Sequence, residues 1–547
     1  MASKRKRDNA PESEPVEKTE QQSTKKVKAP APTKAARASS NSSTSATPFK
    51  VDSTSPITIQ VVAGSYDRVL HGITATVTPT TTTTTATTPS KNNKKAAAAE
   101  TTTSYKVSFA DTFLFNAHSS AIRCLALSPP SAPTPGQKGG QKVLLATGAT
   151  DERINIYNIS AHPPSAKAAD DQKLLNSITP RPVLENPKNR ELGTLLHHSS
   201  NITRLVFPNR SKLLSASEDS TVAVTRVRDW ALLHTFKCPI PKAQGRPSGD
   251  TAALGAVPAG VNDFAVHPSN KIMISVSKGE RSMRLWNLET GKKSRVLNFP
   301  KDVLMEIGEG KHSTGEARRI VWGEDEFAVT FDRDVLVFGM DCRPRCRVMR
   351  EDVVGTKMTK VHEIKYVSLG KEEGQEEEKN VLAVATEDGR ILFFDTAESE
   401  LLEPPAPKED APEKEQQHKK LFEPKTPNAK LIAQLGGKTA GVSGRIKDFT
   451  VLPVEDEESG KRSWFVASAS SDGRVRMWRL ESDDLRVKDE SVKPGRQVGE
   501  LLGTYETENR ITCLGAFVMI PRPEGSVESE YEFDSEESED DDESDDE

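Results

Sequence analysis

His118, His197 and His198 are the residues of this chain whose type best suits chemistry, because an imidazole can act as a base or hold a metal. Each stands just before a short apolar strand, and aspartates that can partner them, Asp151, Asp219, Asp388 and Asp472, lie in later turns. The surroundings such chemistry requires are not written in the sequence. GEGKHSTG at 308–315 resembles a phosphate loop, but Met305 stands where the pattern needs its first glycine. The same stretch fails G-x-G-x-x-G and reads as a loop between repeats. No G-x-S-x-G occurs: VSGR at 442–445 is a turn entering a strand. There is no H-E-x-x-H and no Asp/Asn-rich calcium loop. Cys342 and Cys346 form the only close cysteine pair and lack a second Cys/His pair for zinc. Neither an enzyme nor a metal protein is indicated, and no cofactor or small-molecule substrate is expected.

The elements that position these residues recur. Residues 464–480 read WFVASASSDGRVRMWRL: an apolar strand, a turn with Asp472 and Gly473, and an alternating strand reaching Trp478. Similar hairpins start at Leu144 (LLATGATDERINIYNI), Lys212 (KLLSASEDSTVAVTRV), Lys271 (KIMISVSKGERSMRLWNL) and Val381 (VLAVATEDGRILFFD). Most follow a short strand, as in AIRCLALSP, NITRLVFP, VNDFAVHP and RIKDFTVLP. Repeats of roughly 40–45 residues with four strands each are the signature of a WD-repeat β-propeller. In that fold a histidine before the inner strand bonds toward a turn aspartate. The His and Asp residues above are therefore expected to hold turns, not to move protons.

The fold class expected is all-β: a seven-bladed WD-repeat β-propeller over 57–520. The first and fifth blades are the weakest, and a count of six or eight differs only in how those two are read. ITIQVVAGSYDRVLHGITATV (57–77) and YKVSFADTFLF (105–115) supply three strands of the first blade. RITCLGAFVMI (510–520) matches the inner-strand pattern and is expected to complete it, so that both chain ends close the ring. Insertions near 78–102, 129–141, 160–188 and 398–427 are expected as loops. Thr225 replaces the tryptophan found at 478. Trp230 marks a turn to an outer strand and suits packing better than a ligand cage. Arg343, Arg345 and Arg347 suit either phosphate contact or a solvated edge.

Net charge is −5, yet 528–547 alone carries 14 acidic and no basic residues, leaving +9 on the rest. Such segregation suits a nucleic-acid-rich or basic-protein environment. Five scattered cysteines imply no disulfide framework and a reducing compartment. No apolar run reaches the roughly 18 residues of a membrane span, so no membrane partner is expected. The stretch 1–56 is polar and expected to be disordered, as is the acidic tail 521–547. Lys4, Arg5, Lys6, Arg7 and Lys25, Lys26, Lys28 form two basic clusters, expected to be a nuclear import signal read by an import receptor. The tail suits a solubilising role or docking of basic partners. Ser535, Ser538 and Ser544 precede acidic residues, as acid-directed kinases prefer.

Laid in order, VVAGSYDRVLHG, ATGATDERINIYNI, LLHHSSNITRLVF, LLSASEDSTVAV, VHPSNKIMISVS with MRLWNLETG, ASASSDGRVRMWRL and RITCLGAF resemble one family. It is the p21-activated-kinase-interacting WD-repeat proteins, with its fungal nucleolar branch. The resemblance implies a non-enzymatic nucleolar factor in large ribosomal subunit assembly and pre-rRNA maturation. It implies partners among pre-ribosomal particle proteins, with pre-rRNA and a p21-activated kinase as further candidates. The alternative it carries is a signalling scaffold that restrains that kinase.

Overall fold

Seven sheets follow one another along the chain in this computed structural model, each built on four antiparallel strands. The structure describes residues 48–51, 55–84, 100–131, 140–163, 183–184, 186, 188–241, 259–310, 313–348, 359–371, 378–403, 426–457, 460–486 and 495–521. The import-signal residues and the acidic tail from 522 onward lie outside these.

Blade 3 is the simplest: Ile202–Asn209, Lys212–Ser217, Thr221–Arg226 and Leu232–Lys237 pair in order from the inside out. Its second strand, KLLSAS, is buried from Leu213 onward, whereas its outer strand is largely exposed. Blade 5, weak in sequence, keeps all four strands, Arg319–Trp322 to Pro344–Val348. Blade 1 is closed as expected. Ile511–Val518 pairs with Ile57–Ser65, which pairs in turn with Val69–Thr84 and then Glu100–Asn116. Beyond the strand, Met519 N–H donates to Thr58 O at 2.8 Å and Ile520 N–H to Ala161 O at 2.8 Å, tying the seam to blade 2.

The core lies between blades. Seven apolar clusters fill the seven blade interfaces described, from Cys124, Ile202 and Leu213 between blades 2 and 3 to Ile59, Met477 and Ile511 between blades 7 and 1. Each blade therefore buries both of its faces against neighbours, and no blade has a core of its own.

Several segments differ from expectation. The Thr-rich insertion is not wholly a loop: the first-blade hairpin continues to the pair Thr84 and Glu100. Threonine is β-branched and favours extended backbone even where no apolar pattern marks a strand. Phe49–Val51, assigned to the disordered N-terminal tail, pairs in parallel with Val454–Asp456 of blade 7. In the 160–188 insertion, Val183 bridges Asp111 and Leu184 is buried against blade 1. In the 398–427 insertion, Glu398–Glu400 forms a single 3-10 turn and Leu402 pairs with Asn428. A six-residue helix, Lys301–Glu306, links blades 4 and 5. It carries no side-chain cap and is held by burying Val303, Leu304 and Ile307.

Candidate functional site

The turns between second and third strands, with the loops joining blades, form one face of the ring. His118 leaves blade 1 and enters blade 2 there. Its Nδ1 lies 3.2 Å from Asp151 Oδ2 and its Nε2 2.9 Å from Thr147 Oγ1. In blade 3, His198 Nδ1 lies 3.1 Å from Asp219 Oδ2 and Nε2 2.8 Å from Ser215 Oγ. Ser215, His198 and Asp219 thus have the connectivity of a nucleophilic triad. Ser215, however, is 1% exposed and lies within the paired second strand. No substrate atom reaches its hydroxyl, so the arrangement is a staple. Burial alone would raise the Asp219 pKa; bonds from His198 and Thr221 outweigh it and bring it down to about 2. His118 is held below the usual imidazole value because burial outweighs the attraction of Asp151.

His197 does not join: its Nε2 is buried without a partner among the described residues. Asp388 and Asp472 receive guanidinium groups instead of histidines. Arg390 Nε donates to Asp388 at 2.6 Å and Arg476 Nη2 to Asp472 at 3.0 Å. Gly473, at φ +81°, makes the tight turn beside Asp472 that a side chain would strain. Thr225 is buried where Trp478 stands in blade 7, and Trp230 packs against the core between blades 2 and 3.

The channel holds a polar constellation that no single repeat announces. Inner strands of consecutive blades place Arg204, Asp263, Arg319, Glu363 and Asp448 in one row. Arg204 lies 3.3 Å from both Asp263 and Glu363. Arg319 lies 3.5 Å from Glu363, and Lys365 lies 3.6 Å from Asp448. Arg204 and Arg319 hold the Glu363 carboxyl ionised against the upward push of burial. The carboxylates are nearly covered, at 1% for Asp263 and 4% for Glu363, whereas about a quarter of each guanidinium side chain is exposed. Signs alternate from Arg204 to Glu363, and Lys365 offsets Asp448 at the end of the row, so these pairs link blades 3 to 7 across the channel. Aligning the repeats would have shown Arg204, Asp263, Glu363 and Asp448 two residues beyond the first apolar residue of their inner strands, where blades 1 and 2 carry Cys513 and Cys124.

Arg345 is paired with Glu326 at 3.2 Å and Glu398 at 3.0 Å, and Arg347 bonds Asp334 at 2.5 Å, so these two are neutralised. Arg343 reaches Asp341 only at 3.7 Å, in an exposed turn. In contrast, Lys292, Lys293 and Arg295 lie exposed on the outer strand of blade 4 with no ion pair among the described residues. Cys346 is buried, its thiol pushed up to about 12 by burial, and Cys342 is half-buried. Among the described residues no group of three or more His, Cys, Asp or Glu is placed to hold a metal ion, and no helix is long and apolar enough to cross a membrane.

These features are those of an interaction disc: polar turns pinned in place, a fastened channel and partly exposed edges. The family model described as "WD domain, G-beta repeat" matches residues 189–224, the outer strand of blade 2 with three strands of blade 3. The chain is 27% identical to "Protein MAK11" of Saccharomyces cerevisiae over 424 residues, 74% of each chain. It is 22% identical to "p21-activated protein kinase-interacting protein 1-like" of Xenopus laevis over 75% of this chain and 76% of that one. The Gallus gallus protein of the same name is 20% identical over 84% of this chain and 80% of its own.

Proposed function

We propose, from the premise that this chain belongs to the WD-repeat family that includes yeast Protein MAK11 and the p21-activated protein kinase-interacting proteins, that it is a nucleolar scaffold for large ribosomal subunit assembly. The observation that carries the reading is the extent of the likeness to Protein MAK11, through 74% of both chains. A likeness of that length takes in the ring and not one repeat alone. The basic clusters Lys4–Arg7 and Lys25, Lys26 and Lys28 support import into the nucleus, where such work is done. The mechanism is geometrical. A disc stapled blade to blade offers two faces and a rim to different pre-ribosomal proteins at fixed relative positions, without performing a reaction. Depletion is the test: it is expected to accumulate unprocessed large-subunit precursor rRNA, restored by the intact chain. Unchanged precursor levels overturn the reading.

A second reading is favoured by the names of the vertebrate relatives, which state interaction with a p21-activated protein kinase. It expects direct binding to the kinase regulatory segment. Its test is binding of the purified chain to that segment, with no binding as the outcome against it.

A further inference from the structure

In six of the seven blades the inner strand carries a β-bulge near its start, which leaves one residue out of register: Arg123, Thr203, Asn262, His362, Lys447 or Thr512. Three of these reach the next blade. Thr512 Oγ1 donates to Ile122 O at 2.6 Å, Thr203 Oγ1 to Val261 O at 2.8 Å and Asn262 Nδ2 to Ala317 O at 2.9 Å. At the remaining three the small stapling side chain is replaced by a basic one. They lie in blades 6, 7 and 2, which with blade 1 form one continuous arc of the ring.

That arc is electrostatically unsettled. Lys447 and Arg123 have no ion pair among the described residues. Lys447 is partly buried, its ammonium pulled down by burial and by Arg445 and Arg510. His362 Nε2 is buried without a partner, and burial together with Lys447 holds its ring neutral, at about 4. Beside them Arg510 lies over the Tyr66 ring at 5.7 Å, and Tyr66 is 59% exposed. Two cations without an ion pair among the described residues, Arg123 and Lys447, and a Tyr66 ring that stays largely exposed beside Arg510 match the two recurring parts of a single-stranded nucleic-acid site.

We propose that the channel mouth on the turn face binds single-stranded RNA, with Arg123 and Lys447 at phosphates and Tyr66 as a platform for a base. An acidic peptide would use the cations but leave the ring without a role, which is why RNA is favoured. This goes beyond the scaffold reading and holds whichever assembly the disc serves.

The test uses the full chain with the seven residues of its two N-terminal basic clusters, Lys4, Arg5, Lys6, Arg7, Lys25, Lys26 and Lys28, changed to alanine, so that these clusters do not mask the mouth. Fluorescence anisotropy follows a 12-nucleotide single-stranded RNA and, separately, an Asp/Glu-rich peptide of equal length. R123A/K447A is expected to lower RNA affinity about tenfold and to reduce the salt slope by roughly 1.4, the share of two phosphates on a single strand. Y66A is expected to cost about fivefold or more, the loss of one stacked base. R123K/K447R should retain binding, and K292A/K293A/R295A on the blade 4 edge should change it less than about twofold. Circular dichroism confirms that each variant is folded. RNA affinity unchanged in R123A/K447A, or lost equally in the blade 4 variant, overturns the proposal. So does peptide binding through the same two residues without RNA binding.

Discussion

In blades 2 and 3 the turn is tied by an imidazole from the preceding inter-blade loop. In blades 4 and 7 it is tied by a guanidinium from the hairpin itself. His118 and His198 each bridge a turn aspartate and a hydroxyl on the second strand. Arg284 and Arg476 stay within four residues of Glu280 and Asp472. The hydroxyl then goes to tryptophan: Trp286 Nε1 donates to Ser275 at 2.8 Å and Trp478 Nε1 to Ser468 at 3.1 Å. The fixed requirement is a satisfied buried hydroxyl and a satisfied turn carboxylate, and either donor set meets it. The consequences differ. A histidine staple also anchors the loop to the neighbouring blade, whereas an arginine staple is local.

The sharpest way to break this comparison is to remove a carboxylate from an arginine staple. The Arg476 side chain is 3% exposed, so Asp472→Ala leaves a buried cation unpaired and is expected to cost about 3–5 kcal/mol. Adding Arg476→Met should recover most of that, and the shift of the urea midpoint measures both. His198→Ala is expected to cost less, about 1–3 kcal/mol, by stranding the Ser215 hydroxyl. It should also speed amide exchange at Ser199, whose N–H donates to Asp219 at 3.2 Å. Equal exchange at Ser199 in the variant and the parent would contradict the loop-anchoring role.

The smallest effect is a pH leg. Asp219 titrates at about 2 in the folded chain against an ordinary 3.8, so its contribution is fully present above the ordinary value and is lost as pH falls toward 2. Asp219→Asn should flatten that leg of the stability curve. Asp472 is also lowered, through Ser470 and Arg476 against burial, so a histidine staple and an arginine staple should both weaken in acid.

The hairpins were legible because a period of two and an acidic turn are local signals, and blade closure because Arg510–Ile520 repeats an inner-strand pattern. The His118 and His198 contacts followed from their place before inner strands. The channel row was not legible pair by pair: Arg204 and Glu363 are 159 residues apart, and each reads as an ordinary strand charge until the ring closes. The helix Lys301–Glu306 has one turn and a half and no cap, too little pattern to separate it from loop. Phe49–Val51 is a three-residue strand whose partner lies some 400 residues away, and nothing in its own composition announces the pairing.

The scaffold account rests on the chain travelling with large-subunit precursors. Capture of the tagged chain from nuclear extract, followed by a sucrose gradient read for protein and RNA, tests this directly. The account predicts co-migration with large-subunit precursor rRNA and assembly proteins. A light peak holding kinase partners and no precursor rRNA would contradict it.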